Sequence, residues 1–542
     1  MLVPSLIYFV LLSATAPLLG KYIAFVYAEN KSIMLGYLRS QTAQKYFISL
    51  FCFNLVGIVI TFAIIYWQKY LPFGENVESL NLAASINAAI SFTTSTFWQS
   101  HNPETQLSIL SQIFGLTLQN FLSAATGMTV FIAFVRGVKN DNKLYVGNFY
   151  ADFLRSVIYI LLPLSTIVAF ILISQGVPHD FIGHLAYEDL SGQMQDMFVG
   201  PIAGQTAIKT LASNGGSLLA SASAHPFEAP SRFVVMFQLW LVLLMPAALI
   251  FAYGYLTDES KLSWSLYLVV IVTLFITGLV MYWAETKYSI ARLFPNAHLA
   301  DNFNFTGKEL IYDKFPSLAW VLAIVTSSSG SHNLCMDNLS PLSMLILFFD
   351  LVVGKFMLEG VGSGFFTMLT YLMIAVFIKG LITGHRQNFC GKKISAKDIN
   401  YVMIMLLLMP IGVLIFSGIT FMMPLGKEIT LHPQAQIITD VTYNFASAFA
   451  GNGSVLTGVN ISSDYFNYMS ALAMFIGRYV TIYYSLALTG SFSTKSKVVT
   501  NEDDELLGGE ISIFLAILVL MIGALTFLPV LMLGPIVEMM RM

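Results

Sequence analysis

The chain has 542 residues, of which 56% are hydrophobic and only 11% are charged, with a mean hydropathy of +0.73. Apolar runs of roughly eighteen or more residues recur from end to end, and each is long enough to cross a bilayer core of about 30 Å. This composition excludes a soluble enzyme and indicates a polytopic helical membrane protein. The formal net charge of −3 argues against a nucleic-acid partner, and the 3 cysteines match no metal or disulfide spacing.

Ten stretches are predicted to cross the membrane. The first is read as a retained span rather than a signal peptide, because no Lys or Arg precedes its apolar run. Nine stretches have the length of a single span, near residues 3–27, 48–67, 107–135, 153–174, 233–256, 265–285, 402–424, 466–490 and 511–537. The apolar region 343–383 is too long for one straight crossing, and we interpret it as one span broken at "EGVGSG" (359–364).

Lys and Arg set the predicted orientation, because cytoplasmic loops carry an excess of both. They cluster after the first span, after the third, after residue 383 and after residue 490, at Lys31, Arg39, Lys45, Arg136, Lys139, Lys143, Arg155, Arg386, Lys392, Lys393, Lys397, Lys495 and Lys497. If 343–383 crosses once, every cluster lies inside and both termini lie on the outer side.

Four loops of similar composition lie between spans, at "SFTTSTFWQ" (91–99), "LASNGG" (211–216), "VTSSSGSHN" (325–333) and "FASAFAGNGS" (445–454). With Thr96, Gly215, Gly330 and Gly453 as anchors, the separations are 119, 115 and 123 residues. The chain therefore reads as four span–loop–span repeats with one extra span at each end. The predicted units are 1–30, repeat 1 (46–136, pore loop 91–99), repeat 2 (150–257, pore loop 203–220), repeat 3 (263–384, pore loop 318–334), repeat 4 (400–491, pore loop 443–456) and 508–542.

Irregular backbone at membrane depth is tolerated where it lines a protein-enclosed polar cavity. Four such loops around a pseudo-fourfold axis, as in potassium channels, would direct carbonyl oxygens at one point and replace the water shell of K⁺. The alternative is that these are ordinary outer loops, rich in turn-forming residues, with no binding role. The predicted K⁺-binding residues are Ser95, Thr96, Ser213, Asn214, Gly215, Ser328, Ser329, Gly330, Gly451, Asn452 and Gly453. One or two coordination rings, each formed by all four loops, would favour capture of K⁺ over fast conduction.

Several motifs carry a resemblance to a known family: "GLTLQNFLSAATGM" (115–128), "SNGG" with "SAHPFEAP" (213–230), "GVGSG" (360–364), "GKKI" (391–394), and "NGS" with "IGR" (452–454 and 476–478). On these residues the chain resembles the A subunits of the Kdp potassium-transporting P-type ATPases. The resemblance implies a bacterial inner-membrane protein that takes up K⁺ from outside. It also implies passage of K⁺ through an intramembrane tunnel to an ATP-hydrolysing B subunit, with C and F subunits completing the complex.

The chain departs from the family pattern at several positions. The family has asparagines at the positions of Ser95 and Phe97, and Lys355 stands where a glutamate is expected. "GHRQNFC" (384–390) replaces the family's Gly-Arg-Thr-Pro-Glu-Tyr-Leu. Carbonyl coordination does not depend on side chains, so the loop changes bear on rigidity and selectivity.

Charged residues inside spans are costly and are functional hypotheses by default. Arg478 in the last repeat would oppose leakage of K⁺ below the loops, or would pair structurally with a carboxylate or with carbonyl groups. The break with Gly360, Gly362 and Gly364, preceded by Lys355, is the candidate gate. Lys209 is expected to support the second loop, Glu228 either to hold loop donors or to attract cations, and His225 to be structural.

No nucleotide-binding G-x-x-x-x-G-K-[ST] and no Asp-Lys-Thr-Gly phosphorylation motif occurs, so the chain is not expected to hydrolyse ATP itself. No cofactor is expected, and K⁺ is the substrate. The leading hypothesis is the K⁺-binding subunit of an ATP-driven uptake pump. A passive channel or ion-coupled transporter of the Trk or Ktr type is the alternative. An intramembrane serine protease is disfavoured because no G-x-S-x-G elbow occurs.

Overall fold

The computed structural model describes most of the chain. The described residues exclude 1, 29–38, 75–76, 288–313, 354–357, 359, 362–364, 385–387, 424–433, 498–507, 534 and 537–542. The predicted gate residues Gly362, Gly364 and Lys355 therefore lie outside the described residues, whereas Gly360 and Arg478 lie within them.

Long apolar helices dominate the described part of the chain, where 9 helices have the length and composition to cross a membrane. They coincide with predicted stretches, and they run over Leu2–Ala28, Ala43–Tyr66, Ser111–Lys139, Phe149–Ser174, Arg232–Thr257, Ser260–Lys287, Phe366–Thr383, Ala396–Met422 and Asp464–Ser493. The last predicted span corresponds to the helix Gly508–Leu533. A helix satisfies its own backbone polar groups, which is the requirement in a bilayer. The fold is therefore that of an all-α membrane protein.

Four shorter helices lie between long ones and precede the four predicted loops. We call them the first to fourth pore helices, and they run over Leu82–Thr93, Ile202–Leu211, Lys314–Thr326 and Gln434–Ala450. They are rich in alanine, serine and threonine and are almost entirely buried. Each of the four predicted pore loops, 91–99, 203–220, 318–334 and 443–456, begins inside the corresponding pore helix.

The region 343–383 forms two helices, Pro341–Val353 and Phe366–Thr383. Gly360 and Val361 between them are not helical. The ring of Phe365, just before the second helix, lies 6.0 Å from that of Phe131 in the third span. The break thus packs against the third span.

The basic clusters meet at one end of the molecule. The short strands Asn388–Phe389 and Lys392–Lys393 form a hairpin there, and Gln41–Thr42 pairs with Tyr145–Gly147. The Lys392 ammonium donates to the Gly137 carbonyl at 2.9 Å and to the Phe492 carbonyl at 2.6 Å, at the ends of two spans.

A third hairpin, formed by Gly183–Glu188 and Met194–Val199, lies in the acidic segment after residue 174, between the fourth span and the second pore helix. The sequence analysis predicts no strands in this segment.

The first span, Leu2–Ala28, packs along Arg232–Thr257 of the second repeat. Close approach requires glycine at position 20, because a Cβ there would lie 2.7 Å from the Ala248 carbonyl oxygen. The last helix, Gly508–Leu533, packs against Ser260–Lys287 and Pro341–Val353 of the third repeat. The two extra helices therefore pack against the second and third repeats rather than against the four loops.

Candidate functional site

All four pore helices end with the same hydrogen bond. In each case the amide of one residue donates to the carbonyl five residues earlier, at 2.8–2.9 Å. The four donors are Thr96, Asn214, Ser329 and Asn452. This shared contact aligns the four loops residue by residue without reference to their sequences. Each donor belongs to the predicted K⁺-binding set.

The residue before each donor has a positive φ. The values are 64° for Ser95, 50° for Ser213, 56° for Ser328 and 66° for Gly451. A left-handed residue of this kind commonly ends a helix, but glycine normally supplies it, because a Cβ in this conformation costs about 1–2 kcal/mol. Three of the four loops hold serine in this conformation.

A second residue with positive φ follows within each loop. The values are 59° for Phe97, 76° for Gly216, 69° for Gly330 and 87° for Gly453. A helix end alone does not require this second turn, which redirects the carbonyl groups between the two left-handed residues.

Adjacent loops touch through glycine and carbonyl groups. A Cβ built on Gly215 would lie 2.1 Å from the Ser329 carbonyl oxygen. The same distance, 2.1 Å, separates a Cβ on Gly330 from the Asn452 carbonyl oxygen and a Cβ on Gly453 from the Thr96 carbonyl oxygen. Since no real Cβ approaches a backbone oxygen so closely, only glycine fits at these three positions.

The first and second loops close the ring. A Cβ on Gly215 would lie 3.1 Å from the Cβ of Phe97. The loops are thus joined in the cyclic order first, second, third, fourth, and four aligned backbone segments surround one centre. We call this arrangement the loop ring.

The alignment shifts one anchor of the sequence analysis. Thr96 makes the hydrogen bond that Asn214 makes in the second loop, so Phe97, not Thr96, corresponds to Gly215. Phe97 lies outside the predicted binding set. The sequence rules missed it because a bulky residue is rarely left-handed.

Asparagine side chains bond the loops to the neighbouring helices. The amide of Asn214 donates to the Asn120 carbonyl at 2.8 Å, and that of Asn452 donates to the Ile324 carbonyl at 3.0 Å. Asn444 of the fourth pore helix bonds both the amide and the carbonyl of Leu456, at 2.8 and 3.0 Å. These contacts fix the backbone with side chains. Among the ring carbonyls, that of Asn214 accepts the Ser329 hydroxyl at 2.6 Å and keeps one lone pair for a ligand.

The pore helices give the centre of the loop ring a negative potential. The C-terminus of a helix carries about −0.5 of an elementary charge, and all four pore helices end two or three residues before a ring donor. Carbonyl oxygens add their own partial negative charge. The arrangement therefore favours a cation.

The broken span lies directly under the loop ring. A Cβ on Gly360 would lie 2.3 Å from the Ser327 carbonyl oxygen and 3.2 Å from that of Ser213. Arg478 is 8% exposed, and its guanidinium donates to the Ser123 carbonyl at 3.4 Å. A backbone segment and a fixed positive charge therefore lie near the four loops on the side of the broken span.

Lys209 and Glu228 form a buried ion pair, with 1% and 0% of their side chains exposed. Lys209 also donates to the hydroxyls of Ser223 at 3.0 Å and Ser331 at 3.2 Å, and Glu228 accepts from Ser217. The pair links the second pore helix to the second and third loops. Of the two roles considered for Glu228, the geometry supports holding the loop, since a buried, paired carboxylate does not face entering cations.

His225 has a local structural contact, because its Nδ1 accepts the Phe227 amide at 3.1 Å. The expectation of a structural histidine agrees with this geometry.

A cavity of about 610 Å³ opens beside the first loop, on the side of the loop ring away from Gly360. Its lining is polar and uncharged near the loop, with Gln99, Ser100, His101 and Asn102. Burial lowers the pKa of His101 to about 4, so this histidine is neutral at pH 7. Among the described residues that line this cavity, none carries a fixed positive charge.

Four pore helices that end at a ring of backbone carbonyls, inside a bundle of apolar helices, define a membrane protein that binds a cation. The crystal structure of the potassium transporter TrkH from Vibrio parahaemolyticus has a similar fold, with a TM-score of 0.53 and 12% identity over 86% of this chain and 87% of that one.

The sequence identifies the family. The pattern of the family described as "KdpA: Potassium-transporting ATPase A subunit" matches residues 6–540. The potassium-transporting ATPase potassium-binding subunit of Rhodospirillum centenum is 35% identical, over 99% of this chain and 97% of that one. Its counterpart in Pseudomonas aeruginosa is 34% identical, over 99% and 98%. The chain belongs to the KdpA family and is the potassium-binding subunit of a K⁺-transporting P-type ATPase, a multi-pass membrane protein of bacteria.

Proposed function

We propose that the loop ring is the K⁺ site of this subunit, and that it captures K⁺ from the outer side for ATP-driven, high-affinity uptake. The carbonyl oxygens of Thr96, Asn214, Ser329 and Asn452 are the central ligands. The observation that carries the proposal is the close packing of adjacent loops: at three junctions a Cβ built on a glycine would lie 2.1 Å from a carbonyl oxygen of the next loop, and at the fourth it would lie 3.1 Å from the Cβ of Phe97. Carbonyl rings replace the water shell of K⁺.

In the proposed arrangement the repeats surround a pseudo-fourfold axis, and ten helices cross the inner membrane with both termini on the outer side. The support is the position of the basic clusters, since Lys392 brings the inner ends of the first, third and fourth repeats together. Cytoplasmic loops carry such clusters.

K⁺ is proposed to leave the loop ring sideways. Gly360 lies against carbonyl oxygens of the second and third loops, and the Arg478 guanidinium lies below. A straight path inward would bring K⁺ close to a buried positive charge, which is strongly unfavourable in a low-dielectric interior. We propose that the ion instead passes through an intramembrane tunnel to the ATP-hydrolysing B subunit, in a complex with C and F subunits.

The first experiment combines equilibrium K⁺ binding with ⁸⁶Rb⁺ flux into liposomes that contain this chain alone. We expect K⁺ binding without rapid downhill flux. Rapid flux would indicate an open pore and would favour a passive channel or Trk-type transporter.

A matched pair of variants tests the loop ring. Gly330→Ala puts a Cβ 2.1 Å from the Asn452 oxygen, whereas Gly418→Ala, in a span, places a Cβ in open space. We expect Gly330→Ala to weaken K⁺ binding at least tenfold and Gly418→Ala to leave it unchanged. Equal K⁺ affinity in a folded Gly330→Ala chain would refute the ring as the site.

A further inference from the structure

The side chain of Asn120, in the third span, is a buried amide that makes no hydrogen bond among the described residues. It is completely buried, and neither its amide nitrogen nor its amide oxygen has a hydrogen-bond partner among the described residues. Leaving one buried polar group unsatisfied costs about 1–3 kcal/mol. An unpaired buried amide in this position points to a ligand that the protein itself does not contain.

The level of Asn120 is fixed by the loop ring. Its backbone carbonyl accepts the side-chain amide of Asn214, a residue of the ring, at 2.8 Å. One turn further along the helix, the Ser123 carbonyl accepts from Arg478. Asn120 therefore lies at the level of the second loop, one helix turn from the carbonyl that accepts the guanidinium.

The helix face of Asn120 leads to the broken span. Asn120 and Phe131 are eleven residues apart, which places them about 20° apart around a helix of 3.6 residues per turn. The Phe131 ring contacts that of Phe365, just after the break. Between them this face carries Ala124 and Gly127, which are small and buried. The face of Asn120 thus runs along the third span to Phe131, which contacts the residue just after the break.

We propose that the carboxamide of Asn120 is a K⁺ ligand on the inner side of the loop ring, the first group that the ion meets when it leaves the carbonyl oxygens. Amide oxygens are ligands for hard cations in proteins. This oxygen would stabilise the partly dehydrated ion above Arg478, before the ion moves sideways. The inference rests on the proposed function, because it needs K⁺ to bind in the loop ring first.

The test uses the assembled ATPase, with Asn120→Leu, Asn120→Asp, Gly330→Ala and Gly418→Ala in this subunit. For Asn120→Leu we expect the K⁺-stimulated turnover to fall about tenfold, while the K⁺ concentration for half-maximal stimulation changes less than twofold. The thermal unfolding midpoint should not fall, since leucine has the same branched arrangement of four side-chain heavy atoms and no hydrogen bond among the described residues is lost. Gly418→Ala is expected to behave as wild type.

Other results overturn the inference. Turnover within twofold of wild type would show that the amide has no part in transport. A fall in turnover accompanied by a lower unfolding midpoint would show a structural role. If Gly330→Ala loses K⁺ stimulation while Asn120→Leu does not, the loop ring stands and only the inference on Asn120 fails. Full K⁺ stimulation in Gly330→Ala would instead overturn the proposed function.

Asn120→Asp decides the question even if Asn120→Leu does not fold. The carboxylate keeps an oxygen at the same place and adds a negative charge. We expect K⁺ to raise the unfolding midpoint of this variant more than that of wild type. No difference between the two in their response to K⁺ would overturn the inference.

Discussion

At the scale of single residues, the loop ring contains local strain. Ser95, Ser213 and Ser328 hold positive φ values that glycine adopts without penalty. Backbone strain of this kind persists where the surrounding structure over-determines the conformation, and it is common at ligand sites. Here the glycine contacts of the adjacent loops provide that constraint.

Replacing Ser328 with glycine should release part of this strain. We expect Ser328→Gly to raise the free energy of unfolding by about 0.5–1 kcal/mol, after the added flexibility of the unfolded chain is subtracted. K⁺ affinity should stay within twofold, because the ring binds through carbonyl groups. Thermal unfolding and equilibrium K⁺ binding check both expectations.

Ser417→Gly is the matched control. Ser417 is buried in the interior of the helix Ala396–Met422, where glycine lowers stability by about 0.5–1 kcal/mol. Equal stability losses in the two variants would show that Ser328 is not strained. A large loss of K⁺ affinity in Ser328→Gly would show that its hydroxyl takes part in binding.

At the scale of secondary-structure elements, buried charges hold the second loop in place. Lys209 on the second pore helix and Glu228 after the loop form a pair that water does not reach. Gln99 of the first loop exchanges two hydrogen bonds of 2.9 Å with the backbone of Ser217, whose hydroxyl donates to Glu228. The pair thereby connects the positions of the first, second and third loops.

Breaking the pair on one side should destabilise the chain strongly. In Glu228→Gln the Lys209 ammonium stays buried without its counter-charge, and we expect a loss of about 3–5 kcal/mol in unfolding free energy. The double variant Lys209→Met, Glu228→Leu removes both charges, and we expect it to recover most of that loss. Thermal unfolding of the wild type, of Glu228→Gln and of the double variant measures these differences in stability. A double variant as unstable as Glu228→Gln would show that the hydroxyl network, rather than the charges, holds the loop.

The hairpin that carries Lys392 joins the ends of two spans through backbone carbonyls. Burial, followed by the positive charge of Lys497, lowers the pKa of Lys392 to about 8 from an ordinary value of 10.5, and Asp141 offsets part of this effect. In the unfolded chain the pKa returns to its ordinary value. Between about pH 8 and 10.5 the unfolded chain therefore binds more protons, and the free energy of unfolding should rise with pH.

The pH dependence of thermal unfolding tests this expectation. Between pH 7 and 10 we expect the wild-type midpoint to contain a rising contribution that is absent in Lys392→Met. Lys393→Met is the control, because the neighbouring side chain is exposed. If Lys392→Met kept the same pH dependence as Lys393→Met, the rise would come from other groups.

At the scale of the whole molecule, the sequence predicts the spans well and the loop geometry only in outline. Long apolar runs leave little choice in a bilayer, so the 9 candidate spans fall where hydropathy places them. The positions of the four loops could also be predicted from the sequence, because their Ser, Thr, Asn and Gly content interrupts an otherwise apolar sequence.

The parts that could not be predicted depend on tertiary contacts. The left-handed conformation of Phe97 has no local signal, since only the contact with the second loop requires it. The hairpin of Gly183–Glu188 and Met194–Val199 lies in a segment without clear alternation. Asn120 could have been noticed as an amide within an apolar span, but its unpaired state is visible only when its neighbours are known.

K⁺ should stabilise the entire chain if the four loops close around it. A ligand that binds only the folded state adds about 2.7 kcal/mol of stability at one hundred times its dissociation constant. Because each repeat contributes one segment of the ring, this stabilisation should appear as an increase in the unfolding midpoint of the whole molecule. We expect K⁺ and Rb⁺ to raise the midpoint, and Na⁺ and choline at equal ionic strength to have much smaller effects.

Gly330→Ala and Gly418→Ala test whether this stabilisation by K⁺ comes from binding in the loop ring. Gly330→Ala should abolish the response to K⁺, and Gly418→Ala should keep it, because only the first places a Cβ against a carbonyl of the neighbouring loop. An equal response to K⁺ and choline would mean that ionic strength, not binding, stabilises the chain. A K⁺-specific response that survives in Gly330→Ala would place the ion elsewhere in the molecule, since a ring opened at one of its three glycine contacts cannot present four aligned carbonyls.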